Sequence, residues 1–214
     1  MKPARILLIF ATQAEADPLL AAMGDVVTRE GDTTHLHSDG HATRLRVTGM
    51  GPAAAARIVR AELARERPAV VINAGIAGAL HSGFGLGEVV EVEAAAHAMP
   101  GDTENLAFMA LPALRPAGWP KDLRRGRLIT RPTPLFDVVE ANRLATRADL
   151  VDMEGAAIVQ ACADADVPCV LLKAVSDFAD DRATLLSNLA RASQALAQVL
   201  QTTLRPSSLS GVMP

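Results

Sequence analysis

The sequence predicts an α/β fold, a single domain of three α/β/α layers around a mixed, largely parallel central sheet. Three observations carry this expectation. Short continuous apolar runs at 6–10, 69–72 and 169–175 suit strands buried on both faces. Segments of helical spacing stand between and after them, at 15–23, 53–65, 154–164 and 183–200. Half of the 214 residues are hydrophobic but only 3% are aromatic, so packing rests on aliphatic layers such as helices laid on a sheet.

Each element follows from its local pattern. The run 6–10 is bounded by Lys2-Pro3 on one side and polar residues on the other, and helix 15–23 stops at Gly24. Residues 35–47 alternate in part, through Leu36, His41, Leu45 and Val47, and predict a hairpin turning at Asp39-Gly40. Gly49-Met50-Gly51-Pro52 opens the Ala-rich helix 53–65, with Pro52 suited to its first turn. The run 69–72 leads into Asn73-Ala74-Gly75-Ile76-Ala77-Gly78, read as a glycine turn beyond the strand end. A strand is expected at 88–92. Segment 99–131 is the least regular, interrupted by Pro100, Pro112, Pro116 and Pro120, and predicts loops and short helices. Arg124, Arg125 and Arg127 in it read as a solvated run. A helix at 136–146, an extended piece at 149–153 and an amphipathic helix at 154–164 precede Pro168 and the strand 169–175, which ends in Ser176-Asp177. The last helix closes a domain spanning 1–204, and 205–214 is expected to be a mobile tail.

Composition narrows the function. A formal net charge of −3 gives no footprint for nucleic acid or an anionic membrane surface, and no apolar run approaches membrane-spanning length. The opening MKPARILLIF is too short in its apolar part for a signal peptide. Cys162 and Cys169 read as buried apolar residues, and no spacing that includes them, His81 or His97 suits a metal. The expectation is a cytoplasmic protein without metal or cofactor. Neither GxGxxG after a strand nor GxxxxGK[ST] is present, which disfavours a dehydrogenase or a P-loop phosphotransferase.

Ligands of α/β sheets bind outside the carboxyl ends of strands. The three apolar runs place Thr12 and Glu15, the segment Gly75–Gly78, and Ser176-Asp177 at such ends. Two strings are more specific: Val151-Asp152-Met153-Glu154-Gly155-Ala156-Ala157 and, some twenty residues on, Val175-Ser176-Asp177-Phe178-Ala179-Asp180. Together they resemble the nucleoside phosphorylase and nucleosidase superfamily, and within it most the 5′-methylthioadenosine/S-adenosylhomocysteine nucleosidases. Gly49–Pro52 and Asn73–Leu80 are similar to further blocks of that family in the same order, so the resemblance runs from Ile6 to about Ala197.

The resemblance implies a purine nucleosidase that frees the base of a 5′-modified adenosine, with water as co-substrate. Asp177 would match the aspartate that bonds purine N7 and protonates the leaving base. Glu154 would grip the ribose hydroxyls with Met153 against the sugar, and Glu15 would orient and deprotonate water. Ser176, Gly75, Ile76 and Phe136 are the further candidate substrate contacts, Phe136 as a stacking ring. The chemistry suits such a set. Breaking C1′–N9 builds positive charge on the sugar and negative charge on the base, so one carboxyl must donate a proton while another activates the nucleophile. Burial would raise the Asp177 pKa toward its donor role, while an exposed Glu15 stays ionised. The relatives are commonly homodimers, and the same is implied here.

The nucleophile is a separate question. Phosphorolysis needs a grip on a dianion, usually from Arg with Ser or Thr hydroxyls. The corresponding places hold Asn73 and Ile76, which favours water. Hydrolases of the family often have Ser where this chain has Ile76. The glycine segment and Ala11-Thr12 also resemble hopanoid-associated phosphorylases and futalosine hydrolases. A phosphorylase of the same fold, a futalosine hydrolase and a non-catalytic nucleoside-binding protein are therefore the alternatives.

Overall fold

A computed structural model describes residues 4–24, 27–38, 41–102, 105–112 and 119–204. The expected hairpin turn at Asp39-Gly40, Pro116 and the tail 205–214 lie outside the described residues. In chain order the first half comprises β1 (Ala4–Phe10), α1 (Gln13–Met23), β2 (Val27–Glu30), β3 (Thr33–Ser38), β4 (His41–Val47), α2 (Pro52–Arg65) and β5 (Val70–Ala79). The second half comprises β6 (Val89–His97), β7 (Met109–Ala110), β8 (Arg124–Thr130), α3 (Val138–Leu144), β9 (Leu150–Asp152), α4 (Gly155–Asp164), β10 (Cys169–Asp177) and α5 (Arg182–Leu204).

The apolar runs form the centre of a mixed sheet, as the α/β reading expects. β1 pairs in parallel with both β4 and β5, and β5 pairs in parallel with β10. The two faces of β1 explain its unbroken apolar run. Ile6, Leu8 and Phe10 pack with α1 and α5 residues such as Leu19 and Leu196. Leu7 and Ile9 pack with Val59 of α2 and Ile158 of α4 on the other side. Alternation on a strand covered by helices on both faces demands apolar residues at every position. Helix α2 buries Ala55, Val59 and Leu63, four residues apart, and α5 buries Ala192, Leu196, Leu200 and Leu204 at the same spacing.

The sheet also closes on itself in part. Its order is β10-β6-β8-β9-β5-β1-β4-β3-β2, and β10 pairs a second time, with β5. Strands β5, β10, β6, β8 and β9 thus form a ring, while β1, β4, β3 and β2 extend from it. β2, which the hairpin reading did not include, pairs antiparallel with β3.

Two sequence expectations give way here. The expected glycine turn at 73–78 is continuous strand, because β5 runs on to Ala79. Gly75 and Gly78 serve close approach instead of a turn. A Cβ on Gly75 would lie 3.2 Å from Glu15 Oε1 and 3.3 Å from Lys173 Nζ, and one on Gly78 would lie 2.8 Å from Asp177 Oδ1. The arginine run is strand and not loop, because Arg124, Arg125 and Arg127 belong to β8, and Arg124 and Arg125 are solvated there as expected. Their charges are met by ion pairs from Arg124 to Glu88 (3.1 Å) and from Arg125 to Glu91 (3.3 Å), while Arg127 stacks over Phe108 at 3.7 Å. Cys162 and Cys169 are free and buried, as expected.

Gly155 sets how closely α4 approaches the sheet. A Cβ there would meet Leu128 Cδ2 at 2.5 Å and Leu171 Cδ2 at 2.9 Å. Gly155→Ala is expected to destabilise the fold by about 1–3 kcal/mol through overpacking, read as a lowered Tm in thermal unfolding.

Candidate active site

At the carboxyl ends of β1, β5 and β10, and beside β9, lies a cavity of about 510 Å³. Glu15, Ile76, Phe136, Met153, Glu154, Ser176 and Asp177 all line it. These are seven of the eight residues singled out from the sequence. The eighth, Gly75, is not in the lining. It lies beneath, where its missing side chain leaves room for Glu15 and Lys173.

Each carboxylate is held by its own local device. Glu15 is the third residue of α1 and completes a capping box with Thr12. Its Oε2 accepts from Thr12 N (2.7 Å) and Thr12 Oγ1 (2.8 Å), and its Oε1 accepts from Ile76 N (3.0 Å). It is buried, not exposed as the sequence reading had it. Three of its roughly four lone-pair sites are thereby used, which leaves about one for a ligand. Glu154 precedes the first turn of α4, and its Oε1 accepts from Gly51 N at 2.7 Å. Asp177 ends β10. Its Oδ2 accepts from Ser176 Oγ at 2.7 Å and its Oδ1 from Ala179 N at 2.8 Å. Ala179 reaches that position at φ 55°, a left-handed conformation that an alanine rarely holds.

Below the cavity floor sits a group that the sequence reading passed over. Lys173 lies in the middle of β10 and is 1% exposed. Its Nζ pairs with Asp152 Oδ2 at 2.8 Å. Asp152 also accepts from Gly155 N (2.9 Å) and from Thr130 Oγ1 (2.6 Å), so the pair is tied to α4 and β8. Burial works against the lysine charge, yet Asp152, Glu154 and Glu15 raise its pKa above the ordinary value. A lysine inside an otherwise apolar strand was the available signal, since an unpaired charge is not buried there.

The acids respond to the same surroundings. Burial, then the charge of Asp152, raises the Glu154 pKa from 4.5 to about 7, against the pull of Lys173 and the Gly51 N–H. Burial also raises that of Asp177, opposed by its bonds from Ser176 and Ala179. The rest of the cavity is apolar. Pro134 and Leu135 stand with Phe136, and Leu185, Leu186 and Leu189 come from α5. Met50 and Leu186 are 69% and 58% exposed, which puts them at the mouth. Among the described residues, no group of three or more His, Cys, Asp or Glu side chains is placed to hold a metal ion. Nor is any helix among them long and apolar enough to cross a membrane.

Comparison with known proteins adds a family. The model of the phosphorylase superfamily matches residues 5–205. A 5′-methylthioadenosine/S-adenosylhomocysteine nucleosidase of Bacillus thuringiensis (strain Al Hakam) is 29% identical over 165 residues, 65% of this chain and 70% of that protein. A Helicobacter pylori enzyme of the same name, solved with butyl-thio-DADMe-Immucillin-A, superposes with a TM-score of 0.83 at 17% identity, covering 95% of this chain and 99% of that one. The native futalosine hydrolase of Helicobacter pylori strain 26695 gives 0.83 at 18% identity, covering 94% and 97%. At these identities the two structures speak to the fold.

Two outcomes follow from the buried charges. Lys173→Met leaves buried Asp152 without its ion-pair partner and is expected to cost about 3–5 kcal/mol in urea unfolding; adding Asp152→Asn should recover much of that loss. The raised Glu154 pKa stabilises the fold fully below pH 4.5, and this contribution fades as pH rises to about 7. The unfolding midpoint should therefore fall across that window relative to Glu154→Gln and run parallel to it above.

Proposed function

We propose, from the premise that this chain belongs to the phosphorylase superfamily, as the match over residues 5–205 shows, that it is a purine nucleosidase. It hydrolyses the N-glycosidic bond of a 5′-modified adenosine such as 5′-methylthioadenosine or S-adenosylhomocysteine and releases the base. The observation that carries this reading is the set of acids in one cavity: Asp177 with its pKa raised by burial, and Glu15 and Glu154 facing the same space.

Their roles follow from the bond to be broken. As C1′–N9 lengthens, Asp177 gives its proton to N7 of the leaving purine, and Ser176 orients the carboxyl through its 2.7 Å bond. Glu154 accepts from the ribose hydroxyls, with Met153 against the sugar, and its charge favours the cationic ring of the transition state. Glu15 holds a water through its one remaining lone pair and takes its proton as oxygen bonds to C1′. Phe136 stacks on the base. Ile76 N, which anchors Glu15, and Gly78, which Asp177 packs against, are two residues apart on β5. That is about 7 Å along a strand.

Water as acceptor is supported by where the cations are. Lys173 is buried and already faces Asp152, Glu154 and Glu15. Arg182, the first residue of α5, is the cation in the lining, and among the described residues no contact joins it to Glu15 or Ile76. Asn73 and Ile76, where a phosphate grip would be expected, offer neither a charge nor a hydroxyl. Futalosine hydrolysis, the same bond cleavage on another nucleoside, remains a second reading because of the structural likeness. The reading includes a cytoplasmic homodimer, which the resemblance to the family implies.

Incubation with 5′-methylthioadenosine, S-adenosylhomocysteine or futalosine should yield free base and free sugar whether or not phosphate is present. A sugar 1-phosphate would overturn the hydrolase assignment. Asp177→Asn should lower kcat about a hundred- to ten-thousandfold while nucleoside binding persists in calorimetry.

A further inference from the structure

The cavity is chemically graded from floor to mouth. Glu15, Asp152, Glu154 and Asp177 line its strand-end side, and Leu185, Leu186 and Leu189 line the wall that α5 supplies. The cationic side chain in the lining is Arg182, the first residue of α5. It is exposed, and among the described residues it has no acid partner. Neither of its two acidic neighbours in the chain forms an ion pair with it among the described residues. Asp181 accepts from Ala183 N (3.1 Å) and Thr184 N (3.2 Å) at the start of the helix. Asp180 lines a different cavity, with His81 and Ser82.

We propose that Arg182 determines specificity for the 5′ substituent, and that the substrate carries there an apolar arm ending in a carboxylate. This deepens the nucleosidase reading and rests on it for the deep end of the ligand. With purine and ribose among the acids, the 5′ arm must run past the leucines of α5 toward the mouth. An arm that is apolar along its length matches that wall, and an anionic end matches an arginine with no other partner. Guanidinium and carboxylate pair through two parallel N–H···O bonds, so the contact selects a planar anion over a neutral ester or a methyl group. A homocysteine arm, whose carboxylate stands beside an ammonium, and an aryl-carboxylate arm both offer such a carboxylate.

The test compares 5′-thioadenosines bearing a 2-carboxyethyl arm and its methyl ester, alongside S-adenosylhomocysteine and futalosine. The wild-type protein should favour acid over ester in kcat/KM by about five- to tenfold at low salt, as expected for one exposed charge-assisted contact. The preference should shrink at high ionic strength. Arg182→Gln should bring the ratio near one, and Arg182→Lys should restore part of it. An acid-to-ester ratio that is the same in wild type and Arg182→Gln overturns the proposal. If no nucleoside is cleaved, the nucleosidase reading fails by itself, and the ratio of dissociation constants for acid and ester on the same two proteins decides the role of Arg182. Higher kcat/KM for S-adenosylhomocysteine or for futalosine then identifies the amino-acid or the aryl source of the carboxylate.

Discussion

A buried ammonium holds the site together. Lys173 reaches from β10 to Asp152, and Asp152 in turn binds Thr130 of β8 and the first backbone N–H of α4. Through that chain the β10 strand, the β8–β9 edge of the ring and the helix carrying Glu154 are fixed relative to one another. Charge balance follows from the same group. One cation lies among Asp152, Glu154 and Glu15, with Asp177 further along the same strand. The excess of negative charge is what a site needs if positive charge is to develop on its ligand. Desolvation limits that excess, and Glu154, poised to titrate near neutrality, is where the limit is felt.

The strand ring supplies the geometry. Because β10 pairs with both β5 and β6, the ends of β5, β9 and β10 converge instead of fanning out along an open sheet. The carboxylates thus come from α1, the start of α4 and β10, segments distant in sequence, and still share one cavity. Helices on both faces bury most of β1 and β5 and all of β10, and this gives polar atoms at the strand ends a rigid floor.

Much of this was legible in the chain. Helical spacing located α1, α2, α4 and α5 to within a few residues, although α4, expected to be amphipathic, is buried over most of its surface. The paired strings around Glu154 and Asp177 located the cavity. What escaped did so for physical reasons. Glycines mark turns by their freedom and strands by their lack of bulk, and Gly75 and Gly78 act by the second route, which depends on Glu15 and Asp177 arriving from elsewhere. Strand β8 was hidden by its arginines, whose compensation by Glu88, Glu91 and Phe108 exists only once the chain has folded. Lys173 was hidden by the apolar residues around it, and its partner Asp152 looked like part of the motif next to it. Arg182 stands just outside the helix expected from residue 183, and the leucines after it read as part of an ordinary helix, since only the fold turns them toward the cavity.

Glu15 belongs to two structures at once. One oxygen closes the N-terminus of α1 with Thr12, while the other holds the β5 backbone at the edge of the cavity. A helix cap of this kind contributes about 1 kcal/mol to folding. An inherited change at this position would therefore be selected on protein abundance as well as on turnover. Arg182 stands on an exposed helix turn with no such second duty. Across a lineage, taste for the far end of a ligand can drift quickly, while the identity of the attacking group changes only together with the scaffold that carries it.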